Sequence, residues 1–536
     1  MNGIPKHDAA STHYDFVNPE APKGGHLKQA ATGSFDTLNP FSIKGTAAKD
    51  LDLVYDRLTA RNWNEPFTLY PLIAETISLP DDRKTMTITI NPKAQFNDGT
   101  PITAADVIFS FETLKEKGRP NMRQVYRQIA SVTAPDNMTV KFDFGPEANR
   151  ETPMIVAMMP VLSKAWWNDR DFEATLLEPP LSSGPYIIED LEQGRNITYK
   201  RNDNYWAADL LPRKGMNNFE RITYDYFRDD SVALEALLKG NLNYRREWDS
   251  KKWASQYTSG NIEKLEFKHG RPQRVRAMIY NMRHPFFTDI NVRKALSLAF
   301  DGEWIGTNIY QNQLERINSY FPNSALSADL KVMGADMAVR ERLRKAKQLL
   351  EKAGWSIQNN QLHKDGVPFE FEILLTQAED EKVALAFIAS LKRLGITARP
   401  RTLDSASFQR RLLDYDYDMV FHHWQNSLSP GTEQMVYWGC EAAQQPGRFN
   451  YAGICNEELD QLSHDIANAK TYDDLVKMAQ SIDTILIENY ISIPLFYSNA
   501  DLIAIQNGAL KYPETTPLYG PVIESWWASP ENNAAK

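Results

Sequence analysis

The chain has 536 residues, of which 42% are hydrophobic and 24% charged, with a formal net charge of -9. It is too long for one hydrophobic core, so roughly two to four globular domains are expected, and no apolar run approaches the roughly 20 residues that cross a bilayer. The negative charge excludes a dedicated nucleic-acid binder, because phosphate recognition needs clustered Lys and Arg.

The amino-terminal stretch "MNGIPKHDAASTHYDF" has no apolar core of the kind found in a signal peptide. Two interpretations stay open. The protein is cytosolic, or it is exported and its signal has been removed.

In the first half of the chain, alternating residues predict a strand over Thr85–Ile90, and "NDGT" predicts a turn. Thr103 is expected to cap the helix that begins "AADVIFSF". A strand pair is predicted around "APDNMTVKFDF", because "PDN" supplies turn residues. A loop followed by a hairpin is predicted in "PPLSSGPYIIEDLEQGRNITYKRN".

The second half alternates strands with helices. A helix is predicted over residues 339–353, ended by Gly354, and a strand over 369–375. A further helix ended by Gly395, the strand "ITARPR", the helix "SFQRRLL" and the strand "DMVF" follow. This order predicts parallel strands with right-handed crossovers in an α/β domain.

The residues after the last of these strands are "HHWQNS", 422–427. Ligands of open α/β sheets bind beyond the carboxyl ends of the strands, so this segment is predicted to line a crevice. His422 and His423 are adjacent, and on a strand their side chains are expected on opposite faces, which argues against one shared metal ion. Hydrogen-bonded structural groups are the alternative.

No phosphate-binding loop, nucleophile elbow or zinc-protease motif appears, so nothing identifies an enzyme. Two basic clusters stand out, Arg245 with Arg246, and Arg271, Arg274 and Arg276. They are exposed charges beside domain connections, or one or two of them bind a ligand carboxylate through the guanidinium fork.

The two cysteines, Cys440 and Cys455, are the only ones in the chain. A local disulfide, worth roughly 3 kcal/mol by closing a loop, and two unrelated buried thiols are both compatible with their spacing. A zinc site is not predicted, because two Cys without nearby His do not complete a ligand set.

Long ordered blocks resemble family 5 of the extracellular solute-binding proteins, the receptors of ABC importers for peptides and nickel. They include "INPKAQFNDGTPITAADVIFSF", "SSGPYIIEDLEQGRNITYKRNDNYW", "RKAKQLLEKAGW" and "DYDYDMVFHHW". The resemblance implies an α/β fold, the two-lobed periplasmic binding protein fold of class II, in its large three-domain peptide-receptor type. Domain I would comprise 1–45, 180–270 and 500–536, domain II 46–179, and domain III 271–499.

The resemblance also implies a function. Such proteins are non-enzymatic periplasmic receptors, which favours a removed signal and an oxidised Cys440–Cys455 pair. They bind no cofactor, act as monomers, capture ligand between two closing lobes and deliver it to an inner-membrane ABC permease. The most similar branch is associated with short peptides, microcin C and murein peptides.

The resemblance places the ligand beside two segments, residues 32–41 ("TGSFDTLNPF") and the residues that follow the "DM" strand. In peptide receptors, an acidic residue a few positions after the Trp of the "DM" strand binds the α-ammonium group. Here Ser427 stands near that position after Trp424, so the usual amine anchor is missing. The ligand's amine is then expected to be blocked, to remain solvated or to pair elsewhere, and the extra carboxylates of a murein peptide are expected to meet Arg245 or Arg246. The predicted ligand-binding residues are Ser34, Phe35, Asp36, Arg245, Arg246, Tyr280, His422, His423, Trp424, Asn426 and Ser427.

Two other classes of function compete with this interpretation. The same fold hosts receptors for sugars, opines and metal chelates, and the absent amine anchor agrees with them. A secreted glycan hydrolase is the third hypothesis, against which stands the lack of a nucleophile–base pair.

Overall fold

A computed structural model describes residues 4–331 and 333–530 of the chain. Its strands before residue 270 are β1 (His26–Thr32), β2 (Thr59–Asn62), β3 (Glu65–Pro71), β4 (Ala74–Ser78), β5 (Thr85–Ile90), β6 (Ile129–Asp136), β7 (Thr139–Phe144), β8 (Tyr186–Glu192), β9 (Asn196–Arg201), β10 (Arg221–Phe227), β11 (Tyr244–Glu247) and β12 (Ile262–Lys268). The later strands are β13 (Val275–Tyr280), β14 (Glu315–Arg316), β15 (Ser356–Gln358), β16 (Gln361–Lys364), β17 (Val367–Pro368), β18 (Glu370–Leu375), β19 (Thr397–Thr402), β20 (Met419–Trp424), β21 (Ser492–Pro494), β22 (Phe496–Tyr497), β23 (Ala500–Gln506), β24 (Leu510–Lys511) and β25 (Trp527–Ala528).

The α-helices are α1 (Ala104–Lys117), α2 (Pro120–Tyr126), α3 (Thr152–Ala157), α4 (Lys164–Trp167), α5 (Asp230–Leu238), α6 (Ser250–Ser255), α7 (Ile290–Ala299), α8 (Gly302–Asn308), α9 (Val339–Lys352), α10 (Ala378–Lys392), α11 (Ser405–Leu413), α12 (Glu433–Trp438), α13 (Cys440–Gln444), α14 (Glu457–Asp465) and α15 (Tyr472–Glu488). Within the described ranges, no helix is both long and apolar enough to cross a membrane.

The chain divides into two compact units. The described part of one, which we call the central unit, covers 270–331 and 333–499, and it differs from the predicted domain III by one residue at its start. The other, the outer unit, is formed by 4–269 together with 500–530. The separation of the outer unit into domains I and II stays a prediction, and residues 1–3 and 531–536 of domain I lie outside the described residues.

The central unit is built on a five-stranded sheet in the order β19-β18-β20-β13-β21. Strand β18 pairs in parallel with both β19 and β20, which confirms the predicted parallel strands, whereas β13 runs antiparallel to β20 and β21. Alternate residues enter separate cores on the two faces, as Met419 and Val420 do. This alternation explains why the strands of this unit are nearly continuous runs of apolar residues.

The connecting helices end where their sequences change. Helix α9 buries Leu343, Ala346 and Leu350 on one face, and Gly354 follows with φ of +86°, a backbone conformation that a side chain disfavours. Gly395 takes φ of +78° in the same way after α10. Both predicted helix ends are therefore confirmed.

The outer unit contains two four-stranded sheets. In one, of order β1-β10-β9-β8, β1 and β10 are parallel, while β4-β5-β7-β6 is antiparallel throughout. Thr103 caps α1 in a reciprocal capping box with Asp106, and the predicted hairpin forms from β8 and β9. A three-stranded sheet, β11-β23-β12, joins the residues after 500 to this unit.

Cys440 and Cys455 form a disulfide with Cα atoms 4.5 Å apart, which confirms the predicted bond. Hydrogen bonds from two side chains also hold the loop that the disulfide closes. The Asn450 amide donates to Gly439 O and Ile454 O, and the Arg283 guanidinium donates to carbonyls of Ala443 and Asn450. The loop therefore has a fixed position at the end of the central sheet.

Candidate functional site

The candidate site in the central unit lies at the carboxyl end of β20. This strand continues through Trp424, three residues beyond the predicted "DMVF" strand, so His422 and His423 belong to the sheet. Because β13 is antiparallel, its first residues lie beside this end, with Arg276 opposite His423 and Val275 opposite Trp424. The strand pairing thus brings a basic segment next to the two histidines.

The prediction that the histidine rings lie on opposite faces is wrong. Their ring centroids are 4.8 Å apart. Strand β18 pairs with β20 through Met419 and Val420 and ends at Leu375, so it does not extend alongside the last residues of β20. We attribute the contact to this free edge, around which both rings can turn.

The His422 ring also packs at 4.6 Å from the Tyr451 ring and 6.1 Å from the Phe408 ring. Burial lowers the pKa of His422 to about 3, and the neighbouring His423 lowers it further in the same direction. Burial lowers the pKa of His423 as well, followed by the charges of Arg274 and Arg276. Both rings are therefore neutral at pH 7, and they act as hydrogen-bonding groups rather than as cations.

The depressed pKa of His422 predicts a loss of stability in acid. The unfolded chain takes up this proton near pH 6.5, while the folded chain resists it until about pH 3. Stability is therefore complete above pH 6.5 and falls as the pH drops below it, by about 2 kcal/mol at pH 4.5 from this residue. We expect H422Q to show a smaller change in urea midpoint between pH 7.5 and pH 4.5 than the unmodified protein.

The control for this experiment is H464Q, since His464 is an exposed residue of the same unit. It should keep the full pH dependence. An H422Q protein whose stability falls with acid as steeply as that of the unmodified protein would contradict the assignment.

Three predicted ligand-binding aromatic residues are core side chains. Trp424 is 1% exposed, its indole N–H donates to Phe449 O at 3.0 Å, and its ring lies 4.8 Å from that of Trp438. Tyr280 and Phe35 are 0% and 1% exposed within the cores of the central and outer units. The structure does not support the prediction that these rings line a crevice, because each is buried in an apolar cluster of its own unit.

The loop after β20 carries the other predicted residues of this end. Ser427 is exposed, and its hydroxyl accepts from Ser429 N. The Asn426 amide donates to Tyr320 O, so it fixes the loop to the body of the unit. From 425 to 432 the loop contains no acidic residue. The carboxylate of Glu433 follows and accepts from Gly431 N at 3.0 Å, within its own turn.

Two arginines stand at this end of the sheet. Arg276 forms an ion pair of 2.5 Å with Asp380, whose pKa is raised chiefly by burial and also by the neighbouring Glu379, and is lowered by that arginine. Arg274 is exposed and, like Arg276, lowers the pKa of His423. Of the two guanidinium groups, Arg276 is thus paired within the protein, and Arg274 stands exposed near His423. Sequence reasoning noted this cluster but did not place it beside the histidines, because their pairing depends on strand register.

The predicted residues of the outer unit follow the parallel pair β1 and β10. Both strands end at the same edge, and Gly33 N donates to Phe227 O there. Ser34 is exposed, whereas Asp36 is half-buried and accepts from Thr46 N at 2.6 Å. Ser34 is therefore the residue of this segment that presents polar groups at the strand ends.

Arg245 and Arg246 are both engaged by the outer unit itself. The Arg245 side chain is 7% exposed and pairs with Asp230 at 2.8 Å and Glu247 at 3.1 Å. Arg246 pairs with the buried carboxylate of Asp501. The structure does not support the prediction that Arg245 meets a ligand, because its charge is already balanced in the interior.

Trp248 is the residue that sequence reasoning missed in this segment. Its ring is 75% exposed, and the Arg246 guanidinium stacks on it at 4.2 Å. Exposed indoles are rare and often bind partners or ligands. The only sequence feature that could have indicated it is its place after two arginines and a glutamate, and the sequence does not show that its ring is exposed.

Comparisons with known proteins agree with this geometry. A family model for "Bacterial extracellular solute-binding proteins, family 5 Middle" matches residues 68–445. The peptidoglycan-binding protein YepA of Agrobacterium fabrum is 33% identical and aligns with 98% of this chain and 94% of its own length. The probable peptide-binding protein YejA of the same organism is 32% identical, over 98% of this chain and 93% of its own length.

Among solved structures, the oligopeptide-binding protein AppA of Bacillus subtilis, in complex with a nonapeptide, is similar with a TM-score of 0.68. It shares 22% identity and covers 95% of this chain and 100% of its own. This similarity confirms the predicted fold class. Within the described residues, no group of three or more His, Cys, Asp or Glu side chains could hold a metal ion.

Proposed function

This chain is a member of family 5 of the bacterial extracellular solute-binding proteins, and we propose that its ligands are short peptides rich in carboxylates, murein-derived peptides among them. Membership makes it a receptor of an ABC importer for peptides or nickel chelates, not an enzyme. Its homologues are periplasmic receptors, and a membrane permease is the partner that such receptors require.

The observation that carries the proposal is the pair of arginines at the end of β20. Arg274 and Arg276 both lie close enough to His423 to lower its pKa, Arg276 also pairs with Asp380, and residues 425–432 contain no acid. An ammonium group buried here without a counter-charge would cost several kcal/mol. A ligand carboxylate would instead meet guanidinium donors, which suit it in both charge and shape.

The names of the relatives support the same class of ligand. One is called peptidoglycan-binding and the other peptide-binding. Murein peptides contain D-Glu and diaminopimelate, so they bring more carboxylates than an ordinary peptide of equal length. We propose that the neutral His423 adds hydrogen bonds to the peptide backbone, which would give affinity without strict side-chain selection.

The test is a comparison of two tripeptides by thermal shift and calorimetry. The murein tripeptide L-Ala-γ-D-Glu-meso-diaminopimelate should bind at least tenfold more tightly than Ala-Ala-Ala. At 100 times its Kd a ligand adds about 2.7 kcal/mol to stability, which is easily measured. Equal or tighter binding of Ala-Ala-Ala would refute the preference for carboxylates.

Arg274→Gln is the matching variant. It should weaken the murein tripeptide about fivefold, as expected for a partly exposed charge pair worth about 1 kcal/mol. Arg340→Gln is the control, because Arg340 is equally exposed on α9 of the same unit. An R274Q protein with unchanged affinity would remove Arg274 from the site.

A further inference from the structure

Arg316 occupies an unusual position in the central unit. It lies on the short strand β14, opposite Phe496 of β22. Its guanidinium carbon is 4.3 Å from the centre of the Phe300 ring and 5.4 Å from that of Phe496. Aromatic rings on its faces stabilise the cation, and leave its N–H groups to bind in the plane of the guanidinium.

Those N–H groups have no acceptor among the described residues, since the Arg316 side chain makes no hydrogen bond or ion pair there, and its buried Nε is without a partner. Two other arginines of the same unit do have acceptors, although the buried Nε of Arg342 is, like that of Arg316, without a partner among the described residues. Arg342 donates to Phe300 O and pairs with Asp301 at 2.9 Å, and Arg293 donates to the carbonyls of Phe287, Thr288 and Asn489. An unsatisfied guanidinium costs several kcal/mol, so such a group calls for an explanation.

Arg316 lines a small pocket of about 50 Å³ within the central unit, large enough for a carboxylate group. Its lining also includes Asn318, Ser297, Ser492 and Lys331, the last of which pairs with Asp336 at 3.3 Å through a largely exposed side chain. Its described lining contains no carboxylate, and Arg316 is its cation without an acceptor. The chemistry of the lining is thus that of an anion site, with neutral donors beside a guanidinium.

The neighbours of Arg316 keep space for its guanidinium but disfavour its charge. A Cβ atom at Gly302 would lie 2.4 Å from Arg316 Nη1, so a side chain there would displace the guanidinium. Burial lowers the pKa of Arg316 to about 9, and the charge of Arg342 acts in the same direction. Arg316 is still protonated at pH 7, and an anion would relieve the repulsion between the two cations.

We propose that this pocket is a carboxylate-binding site in which Arg316 is the principal contact. The pocket alone supports carboxylate binding, whereas the idea that an imported peptide brings the carboxylate rests on the proposed function. The carboxylate could belong to a free small molecule or to the peptide, and the experiment has one arm for each.

Tyr310 is close to both this pocket and the arginines beside β20. Its ring is 5.0 Å from that of Phe496, and its pKa is raised by burial, Asp380 and Glu379 and lowered by Arg276 and Arg316. A peptide with two carboxylates could bind Arg276 with one and Arg316 with the other.

The first arm of the experiment uses acetate, succinate and inorganic phosphate, with chloride at equal ionic strength as the salt control. Acetate and succinate should raise the Tm of the unmodified protein, and R316Q should abolish this rise. Because R316Q removes an unpaired buried charge, its own Tm should not fall, so loss of binding is not confused with loss of folding. Arg344→Gln, at an exposed position of α9, is the matched control.

The second arm uses the murein tripeptide and its analogue with the D-Glu α-carboxylate amidated. If the peptide supplies the group, R316Q should weaken the tripeptide at least tenfold and the amidated analogue less than threefold. If R316Q abolishes only the Tm rise caused by free carboxylates, the site binds a small carboxylate and not a carboxylate of the peptide. Unchanged responses of R316Q in both arms would overturn the proposal, whereas failure of both peptides to bind the unmodified protein would count against the proposed function.

Discussion

Replacing Asp56 by alanine is expected to lower the free energy of unfolding of the outer unit by about 3–5 kcal/mol. The Asp56 carboxylate is fully buried. It accepts from the Tyr205 hydroxyl at 2.9 Å and the Trp206 indole at 3.1 Å, and it pairs with Arg213 at 2.9 Å. Removing it leaves the Arg213 guanidinium and two polar hydrogens in the interior without their acceptor.

The measurement is urea unfolding followed by circular dichroism. D56A should shift the midpoint strongly, while D203A, which removes an exposed carboxylate paired with Arg201, should cost less than about 1 kcal/mol. The double variant D56A/R213M should lose less than the sum of the two single variants, because it removes both charges together. A D56A protein as stable as D203A would disprove this role for the buried pair.

Much of the fold could be predicted from the chain, because local patterns and tertiary structure agree there. The strand at Thr85–Ile90, the helix capped by Thr103 and the helix ends at Gly354 and Gly395 are all confirmed. At these positions the periodicity of apolar residues and the backbone freedom of glycine determine the outcome within a few residues. No distant contact has to be known.

The site was harder to predict because it depends on contacts far apart in sequence. Asp56 and Arg213 are 157 residues apart, and neither stands in a recognisable motif. Trp424 seemed a wall residue because it follows a strand, but Trp438 and the disulfide-closed loop cover it. Burial by a distant segment is not encoded in local periodicity.

Arg316 is another residue whose importance depends on distant contacts that the sequence does not show. Nothing in the surrounding "QNQLERINSYF" distinguishes it from the many exposed arginines of the chain. Its significance comes from Phe300, Phe496 and the absence of an acceptor among the described residues. Sequence shows which charges are present, whereas structure shows which of them are balanced.

Replacing Arg245 by glutamate is expected to destabilise the outer unit by about 4 kcal/mol or more, whether or not a ligand is present. Arg245 neutralises Glu247, whose side chain is 3% exposed, and also pairs with Asp230. It further donates to the Tyr257 hydroxyl at 2.8 Å. A carboxylate in its place would stand beside the buried Glu247, where water screens the repulsion poorly, and near the partly exposed Asp230.

A graded set of variants separates this structural role from a role in binding. R245M should cost about 2–3 kcal/mol, less than R245E, because Glu247 keeps hydrogen bonds from the Tyr257 hydroxyl and from the backbone of Trp248 and Asp249. R195E, on an exposed arginine, should cost less than about 1 kcal/mol. If R245E instead unfolds at the same urea concentration as the unmodified protein and loses only affinity for the murein tripeptide, Arg245 is a ligand-binding residue after all, and the buried pair with Glu247 contributes little to stability.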